Sequence, residues 1–231
     1  VFKGMVEFQR EALRKAPNDR QLRLAYARSL SMLSGLEAGR LDQQSLKNAK
    51  TYSEMAIKIF EEEFVKYIQA KPSQKIRELD EAETAMFLAE TYAFKPDLNA
   101  KDKVEALRWL NQIFGYLNAK SAQNSLPDLK LKALALQAIY TFSKFALRSN
   151  DVNNMKQALA MYDALYFGHK SEVVPKAISP EIQNFMVLLK NNKQNSDPIY
   201  SAGSLLEAHF EGNNNRFEQM YGDLRKALAK D

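Results

Sequence analysis

The side chains best suited to acid–base or metal chemistry are few and scattered in this sequence. Its two histidines are His169, in a loop-like stretch, and His209, which has Glu207 and Glu211 two residues to either side. Side chains two apart on a helix lie on different faces, so these carboxylates cannot join His209 around one ion. The absence of cysteine excludes disulfides, thiolate metal sites and a cysteine nucleophile. We therefore expect no metal site.

The motifs of nucleotide binding and acyl transfer are absent as well. The eight glycines never occur as Gly-x-Gly, and there is neither a P-loop nor a Gly-x-Ser-x-Gly turn. The run Glu61-Glu62-Glu63 concentrates carboxylates, but successive residues point in different directions around a helix. This run is therefore expected to be a solvated face. We predict a protein without cofactors and without enzyme activity.

The net charge of +5 and pI of about 9.2 raise the question of nucleic-acid binding. The basic excess is mild and spread along the chain, whereas a nucleic-acid footprint is usually a dense patch. One alternative remains, a helical-repeat nucleic-acid binder that uses arginines of the first two helices. Those arginines are Arg10, Arg14, Arg20, Arg23 and Arg28. Ordinary solvated surface is the preferred interpretation, so nucleic acid is not the expected partner.

The stretch EALRKAPNDRQLRLAYARSL indicates how the chain is organised. Pro17 ends one helix because it lacks an N–H and clashes with the preceding turn. Asn18 or Asp19 can cap the next helix, whose apolar face resumes at steps of three and four from Leu22. Small residues at Ala12, Ala25 and Ala27 allow a close approach. Two helices joined this tightly are predicted to fold back as antiparallel neighbours.

The same design recurs along the chain, with further breaks at Pro72, Pro96 and Pro127. After the two opening helices we predict helices at about 52–68, 75–94, 104–117, 129–147, 153–166, 181–189, 199–210 and 216–228. A polar loop is expected at 118–128 and an irregular segment at about 168–198. The prediction is an all-α protein of about ten helices, with residues 1–231 as a single domain. The longest charge-free apolar stretch has 11 residues (133–143), too few for the roughly 20 of a membrane-spanning helix.

Large and small residues fall at repeated offsets within these helix pairs. The clearest unit has Phe142, Phe145 and Ala146 in its first helix and Ala158, Tyr162 and Leu165 in its second. A second unit has Leu88, Ala89, Tyr92, Ala106 and Leu110, and the last helix pair has Ala208, Leu224 and Ala227. The opening stretch contributes Ala12, Pro17, Tyr26 and Ala27. This pattern resembles the tetratricopeptide-repeat (TPR) family, in which helix pairs recur every 34 residues. The sequence departs from the family in having no glycine at the small positions and uneven spacing between units.

The resemblance implies a right-handed solenoid of stacked antiparallel hairpins and a non-catalytic scaffold that binds a peptide or partner protein. In the family, the first helix of each pair lines the concave face. Transferring the repeat offsets places Arg28, Glu90, Tyr140 and Lys144 on that face as the predicted partner-binding residues. The family's basic clamp for a C-terminal carboxylate is not recognisable. A small ligand or a second copy of the chain would be further partners.

Three segments also resemble the helical T component of periplasmic TRAP transporters, a divergent relative of this repeat type. They are DRQLRLAYARSL, SLKNAKTYSEMAIKIFEEEF and NRFEQMYGDLRKAL. This resemblance implies the alternative function of a periplasmic accessory or ligand-binding protein of a bacterial transporter system. The chain begins at Val1, so a targeting segment removed from its start would favour a periplasmic or lipid-anchored location over the cytoplasm.

Overall fold

The described part of the molecule is entirely α-helical. The structure is a computed structural model that describes residues 2–69, 75–122, 129–162 and 216–229. No β-strand occurs within these residues, and none of their helices combines the length and apolar character that a membrane crossing requires. The all-α prediction is confirmed for this part of the chain.

The helices follow one another with short connections. They are α1 (Phe2–Lys15), α2 (Arg20–Ala38), α3 (Gln43–Phe60), a π-helical turn (Glu61–Val65), α4 (Lys66–Gln69), α5 (Leu79–Ala93), α6 (Ala100–Ala122), α7 (Leu129–Ser149), α8 (Val152–Tyr162) and α9 (Arg216–Leu228). The described residues thus contain eight of the predicted helices when α3, the π-helical turn and α4 are counted as one. The helices predicted at 181–189 and 199–210, and the irregular segment at 168–198, lie outside the described residues.

The chain divides into two compact units, Val1–Trp109 and Leu110–Asp231. Helix α6 runs through the boundary between them. Each unit has its own buried aromatic pair. In the first, the rings of Phe64 and Trp109 lie 5.8 Å apart, and in the second those of Phe114 and Phe142 lie 6.1 Å apart, edge to face. All four of these rings are buried. A single domain over 1–231 stays a prediction.

The opening hairpin forms as its sequence predicts. Helix α1 ends before Pro17, and the Asp19 carboxylate caps α2 by accepting from the Leu22 N–H at 3.0 Å. Lys3 near the start of α1 reaches the Glu37 carboxylate near the end of α2, at 3.1 Å. The two helices are therefore antiparallel.

Glu37 is almost completely buried, with Lys3 and Arg40 as its two cationic partners. The hydrogen bond from Lys3 holds the pKa of Glu37 below its ordinary value of 4.5, against the opposing effect of burial. Because the pKa is depressed in the folded chain, the charged form contributes stability above pH 4.5, and that contribution is lost as pH falls through the folded pKa.

Glu37→Gln is accordingly expected to destabilise the protein most at neutral pH and least at acidic pH, because only the carboxylate loses its pairing on protonation. Urea unfolding of the variant and the parent from acidic to neutral pH measures the difference between their free energies of unfolding. The exposed Glu54→Gln is the control. A constant difference between Glu37→Gln and the parent at every pH would contradict this account.

The second hairpin joins α2 to α3. Helix α3 begins at Gln43, nine residues before its predicted start at 52, and Asp42 caps it by accepting from the Ser45 N–H at 2.8 Å. Ser34 donates to the Ala49 carbonyl at 2.8 Å, and Arg23 pairs with Glu62 at 2.6 Å, so the two helices run antiparallel. Ala27 of α2 and Ala49 of α3 are fully buried.

The limits of α5 and α6 differ from the prediction. Helix α5 begins at Leu79, four residues later than predicted, and α6 spans Ala100–Ala122 instead of 104–117. Asn99 and Asp102 explain the earlier start of α6: the Asn99 side chain accepts from the Asp102 N–H at 2.9 Å, and the Asp102 carboxylate accepts from the Asn99 N–H at 3.3 Å. The polar residues 118–122, predicted as loop, are helical because nothing in them breaks the helix.

In the second unit, α7 turns directly into α8. Asn150 adopts a left-handed conformation (φ 52°), and the Asp151 N–H returns to the Ala146 carbonyl at 3.3 Å. The Asp151 carboxylate then caps α8 by accepting from the Asn154 N–H at 2.9 Å. Two connecting residues thus close the helix pair that carries the clearest repeat pattern.

Ala146 and Ala158 are both fully buried on these paired helices. The repeat offsets predict that they face each other. Ala158→Phe is expected to overpack the contact and to lower the free energy of unfolding by about 1–3 kcal/mol. Asn153→Phe, which adds the same ring at an exposed position of α8, is the control for bulk. A melting temperature of Ala158→Phe equal to that of the parent would show that the offsets are misaligned.

Candidate functional site: the accessible stripes of the first helices

Helices α2, α5 and α7, the first helices of the predicted pairs, are buried on nearly every side. From Leu24 to Ser34 of α2 the only side chains not buried are Ala25, Arg28 and Met32. From Glu81 to Ala93 of α5 they are Glu83, Phe87 and Glu90. From Leu134 to Ala146 of α7 they are Gln137, Tyr140 and Lys144. Each helix therefore exposes one narrow stripe, with accessible positions three or four residues apart.

The four predicted partner-binding residues all lie on these stripes. Arg28 and Glu90 belong to the first unit, and Tyr140 and Lys144 to the second. All four are half-buried, so each side chain presents some of its surface to solvent. Tyr140 and Lys144 are neighbours on one face of α7, four residues apart. Arg28 and Glu90 lie on different helices, and the packing of α2 against α5 decides whether they share a surface.

Helices α2 and α5 run side by side in the same direction. Arg28 donates to the Thr84 hydroxyl, and three residues later the Ser31 hydroxyl lies 2.5 Å from that of Thr91. The residue numbers of both helices thus increase in the same direction along this contact. The Thr91 hydroxyl also donates to the Phe87 carbonyl at 2.5 Å. Helix α2 begins the predicted pair α2–α3, and α5 begins the predicted pair α5–α6. The first helices of two successive pairs are therefore parallel neighbours, and their stripes adjoin.

Arg28 links the two stripes. Its guanidinium carbon lies 5.7 Å from the centre of the Phe87 ring, within the range of a cation–π contact. Its Nη2 hydrogen-bonds Thr84, while its Nε is buried and makes no hydrogen bond within the described part of the chain. Glu90 lies one helical turn beyond Phe87. The Arg28 side chain therefore packs across α5.

We name this surface the α2–α5 face. It is defined by Arg28, Met32, Leu36, Glu83, Phe87 and Glu90. Met32 and Leu36 are exposed on the same stripe of α2, at steps of four residues from Arg28. Met32 and Phe87 were not among the predicted residues, and the spacing 28–32–36 is the signal that could have found Met32. The face offers apolar contact area with one cation and two carboxylates.

The arginines considered for nucleic-acid binding already contact carboxylates or aromatic rings within the first unit. Arg10 pairs with Glu7, Arg14 with Glu11 at 2.8 Å, and Arg23 with both Glu62 and Glu63. Arg20 lies over the Tyr67 ring at 4.2 Å. Contacts with carboxylates compete with phosphate for the same donors. This arrangement gives the nucleic-acid alternative no support.

The carboxylates of Glu61–Glu63 hold helices together. They lie on the π-helical turn, where Glu61 accepts from the Tyr92 hydroxyl at 2.8 Å and the next two pair with Arg23. Burial, together with the hydrogen bond to Glu61, raises the pKa of Tyr92 far above its ordinary value, so this phenol stays a hydrogen-bond donor. Glu61 is exposed and Glu62 and Glu63 are partly exposed, so this run reaches solvent as expected and also contacts neighbouring helices. These carboxylates fix α3 against α2 and α5.

Among the described residues no three His, Asp or Glu side chains lie where they could hold a metal ion. His169 and His209 lie outside that part of the chain. Comparisons with protein-family models, with characterised proteins and with solved structures find no match for this chain. The site is therefore interpreted from its own geometry.

Proposed function

We propose that the protein is a non-catalytic, TPR-like interaction scaffold that binds a peptide or partner protein through the stripes of its first helices. The observation that carries this proposal is the parallel contact of α2 with α5. Because the two helices belong to successive hairpins, their accessible stripes join into one surface that no single hairpin provides. On this proposal the hairpins continue as a right-handed solenoid.

The α2–α5 face suits a binding role for a physical reason. Its side chains project from helices that are buried on their other sides, so the backbone that carries them has little conformational freedom to lose on binding. An aromatic ring beside an arginine, as at Phe87 and Arg28, is a common anchor of interfaces. Rigid support and anchoring side chains together favour recognition. The stripe of α7, with Tyr140 and Lys144, is proposed as a second contact surface of the same kind.

Site-specific photo-crosslinking in the native cell tests this function. A photoreactive phenylalanine analogue replaces Glu90 on α5 in one strain and Gln137 on α7 in another. In the control strain it replaces Met55, which is exposed on the second helix α3. The proposal expects a defined protein adduct from Glu90 or Gln137, and none of that size from Met55. Equal adducts from all three positions, or an adduct from Met55 alone, would reject the proposed face.

A further inference from the structure

Large apolar side chains exposed to solvent are concentrated at one place in the described part of the molecule. Five of the eight described ones lie between residues 5 and 41, so they are not scattered evenly. They are Met5, Phe8, Met32, Leu36 and Leu41, and among them Phe8 is 74% and Leu36 51% exposed. A concentration of this kind marks an interaction surface more often than chance exposure.

Four of these side chains lie on the same side of the α1–α2 hairpin. The Lys3–Glu37 ion pair marks one flank of the helix contact. At 100° per residue, Met5 and Phe8 lie about 140–160° around α1 from Lys3, and Met32 and Leu36 about 100–140° around α2 from Glu37. Both pairs are thus on the opposite flank. Because the helices are antiparallel, Phe8 lies about level with Met32, each five residues from the ion pair.

The apolar surface continues across α2 to an acidic helix. Arg28 lies on the same stripe of α2 as Met32, and its guanidinium contacts the Phe87 ring on α5. Helix α5 carries four carboxylates and no lysine or arginine, although the whole chain has a net charge of +5. Of these carboxylates, Glu83 and Glu90 lie on the accessible stripe to either side of Phe87. One edge of the surface is therefore apolar and the other is acidic.

The hydroxyl groups along this surface already hydrogen-bond within the protein, and the Nε of Arg28 is buried. Thr84 donates to the Asp80 carbonyl and accepts from Arg28, and the hydroxyls of Ser31 and Thr91 bond each other. An extended peptide would find few partners for its backbone N–H and C=O groups, and unsatisfied groups are costly. A helix satisfies its own backbone and needs only side-chain contacts. Methionines, of which the surface has two, adapt readily to such apolar faces.

We infer that the α2–α5 face, extended by Met5 and Phe8, binds an amphipathic helix whose polar flank is basic. This names the partner class of the proposed function and rests on it. The apolar stripe of the bound helix lies on Phe8, Met32 and Leu36, with its residues at steps of three and four. Its lysines or arginines lie along α5, within reach of Glu83 and Glu90. Charge complementarity at that edge sets the orientation and the partner class.

Fluorescence anisotropy with three labelled peptides tests the inference. The first is an amphipathic helix of about 18 residues, or five turns, with leucines at steps of three and four and lysines elsewhere. The second has glutamate in place of every lysine, and the third has the composition of the first in scrambled order. The basic amphipathic peptide is expected to bind at least about tenfold more tightly than either of the others.

Two double variants locate the binding. Phe8→Ser with Leu36→Ser is expected to lower the affinity for the basic peptide about tenfold. Glu83→Gln with Glu90→Gln is expected to lower it about five- to tenfold. The matched controls, Met55→Ser and Glu54→Gln on α3, are expected to leave affinity within about twofold. Circular dichroism of each variant establishes that its helices are retained. Affinity that is equal for the basic and acidic peptides, or unchanged in both double variants, overturns the inference.

Two other occupants would also overturn it. Sedimentation that shows a dimer of the chain, dissociated by Phe8→Ser with Leu36→Ser, would assign the surface to a second copy. Binding to phosphatidylcholine–phosphatidylglycerol vesicles, abolished by the same variant, would assign it to a lipid surface. The cross-linking experiment separates this inference from the proposed function. A partner cross-linked at Glu90 that contains no basic amphipathic helix would uphold the scaffold and reject the inference.

Discussion

Replacing Trp109 with alanine is expected to lower the free energy of unfolding by about 3–5 kcal/mol. The side chain is 1% exposed, and its ring packs against that of Phe64 at 5.8 Å. The guanidinium carbon of Arg108 lies 4.9 Å from the centre of the indole ring. Removing the indole leaves a cavity next to the π-helical turn, where Phe64 is also buried, and the rigid helices around it cannot collapse fully.

Val104→Ala on the same helix is the control for this substitution. Val104 is 63% exposed, so its truncation is expected to change stability by no more than about 0.5 kcal/mol. Urea unfolding followed by circular dichroism measures both variants, since Trp109 is the chain's single tryptophan and its fluorescence is lost on mutation. An unfolding midpoint of Trp109→Ala close to that of Val104→Ala would show that the indole does not hold the first unit together.

Lys95→Met is expected to destabilise the protein by about 3 kcal/mol. Lys95 and Asp102 form an ion pair at 3.2 Å whose side chains are only 12% and 6% exposed. Without the cation, the Asp102 carboxylate stays buried with the Asn99 N–H as a remaining donor. A buried charge that has lost its partner is far more costly than a lost surface pair. The effect reports on the connection between α5 and α6.

An exposed pair in the same unit provides the comparison. Lys50 pairs with Asp97 at 2.7 Å, but their side chains are 50% and 46% exposed. Lys50→Met is therefore expected to lower the free energy of unfolding far less than Lys95→Met does. Adding Asp102→Asn to Lys95→Met is expected to restore part of the loss, because it removes the uncompensated charge. Equal costs for the two lysines, measured by urea unfolding, would contradict the role given to burial.

The helices and their turns could be predicted because their signals are local. The break at Pro17 and the cap at Asp19 need only neighbouring residues, and the predicted limits of the last helix, 216–228, agree with α9. The limits of α6 were missed for a local reason as well. Asn99 and Asp102 form a reciprocal cap that was not recognised, and a polar composition alone does not end a helix at residue 118.

The candidate site was only partly predictable because its contacts are long-range. The repeat offsets placed Arg28 and Glu90 on accessible stripes, since three–four periodicity fixes a helical face. They did not show that Arg28 packs over Phe87, since that contact depends on the register of α2 against α5, 56 residues apart at Arg28 and Thr84. Met32 and Phe87 were missed because the sequence of a largely buried helix does not distinguish an accessible apolar residue from a core residue.

The claim that the first helices carry the working surface is tested most directly by methyl NMR of the protein labelled at its eight methionines. The ligand is the partner identified by cross-linking at Glu90. Met32 is exposed on α2 and Met55 on α3, while Met86 and Met161 are buried and report on the fold. Our account predicts that the Met32 resonance shifts or broadens as partner is added and that the Met55 resonance stays in place. A Met55 resonance that moves while Met32 does not would contradict it.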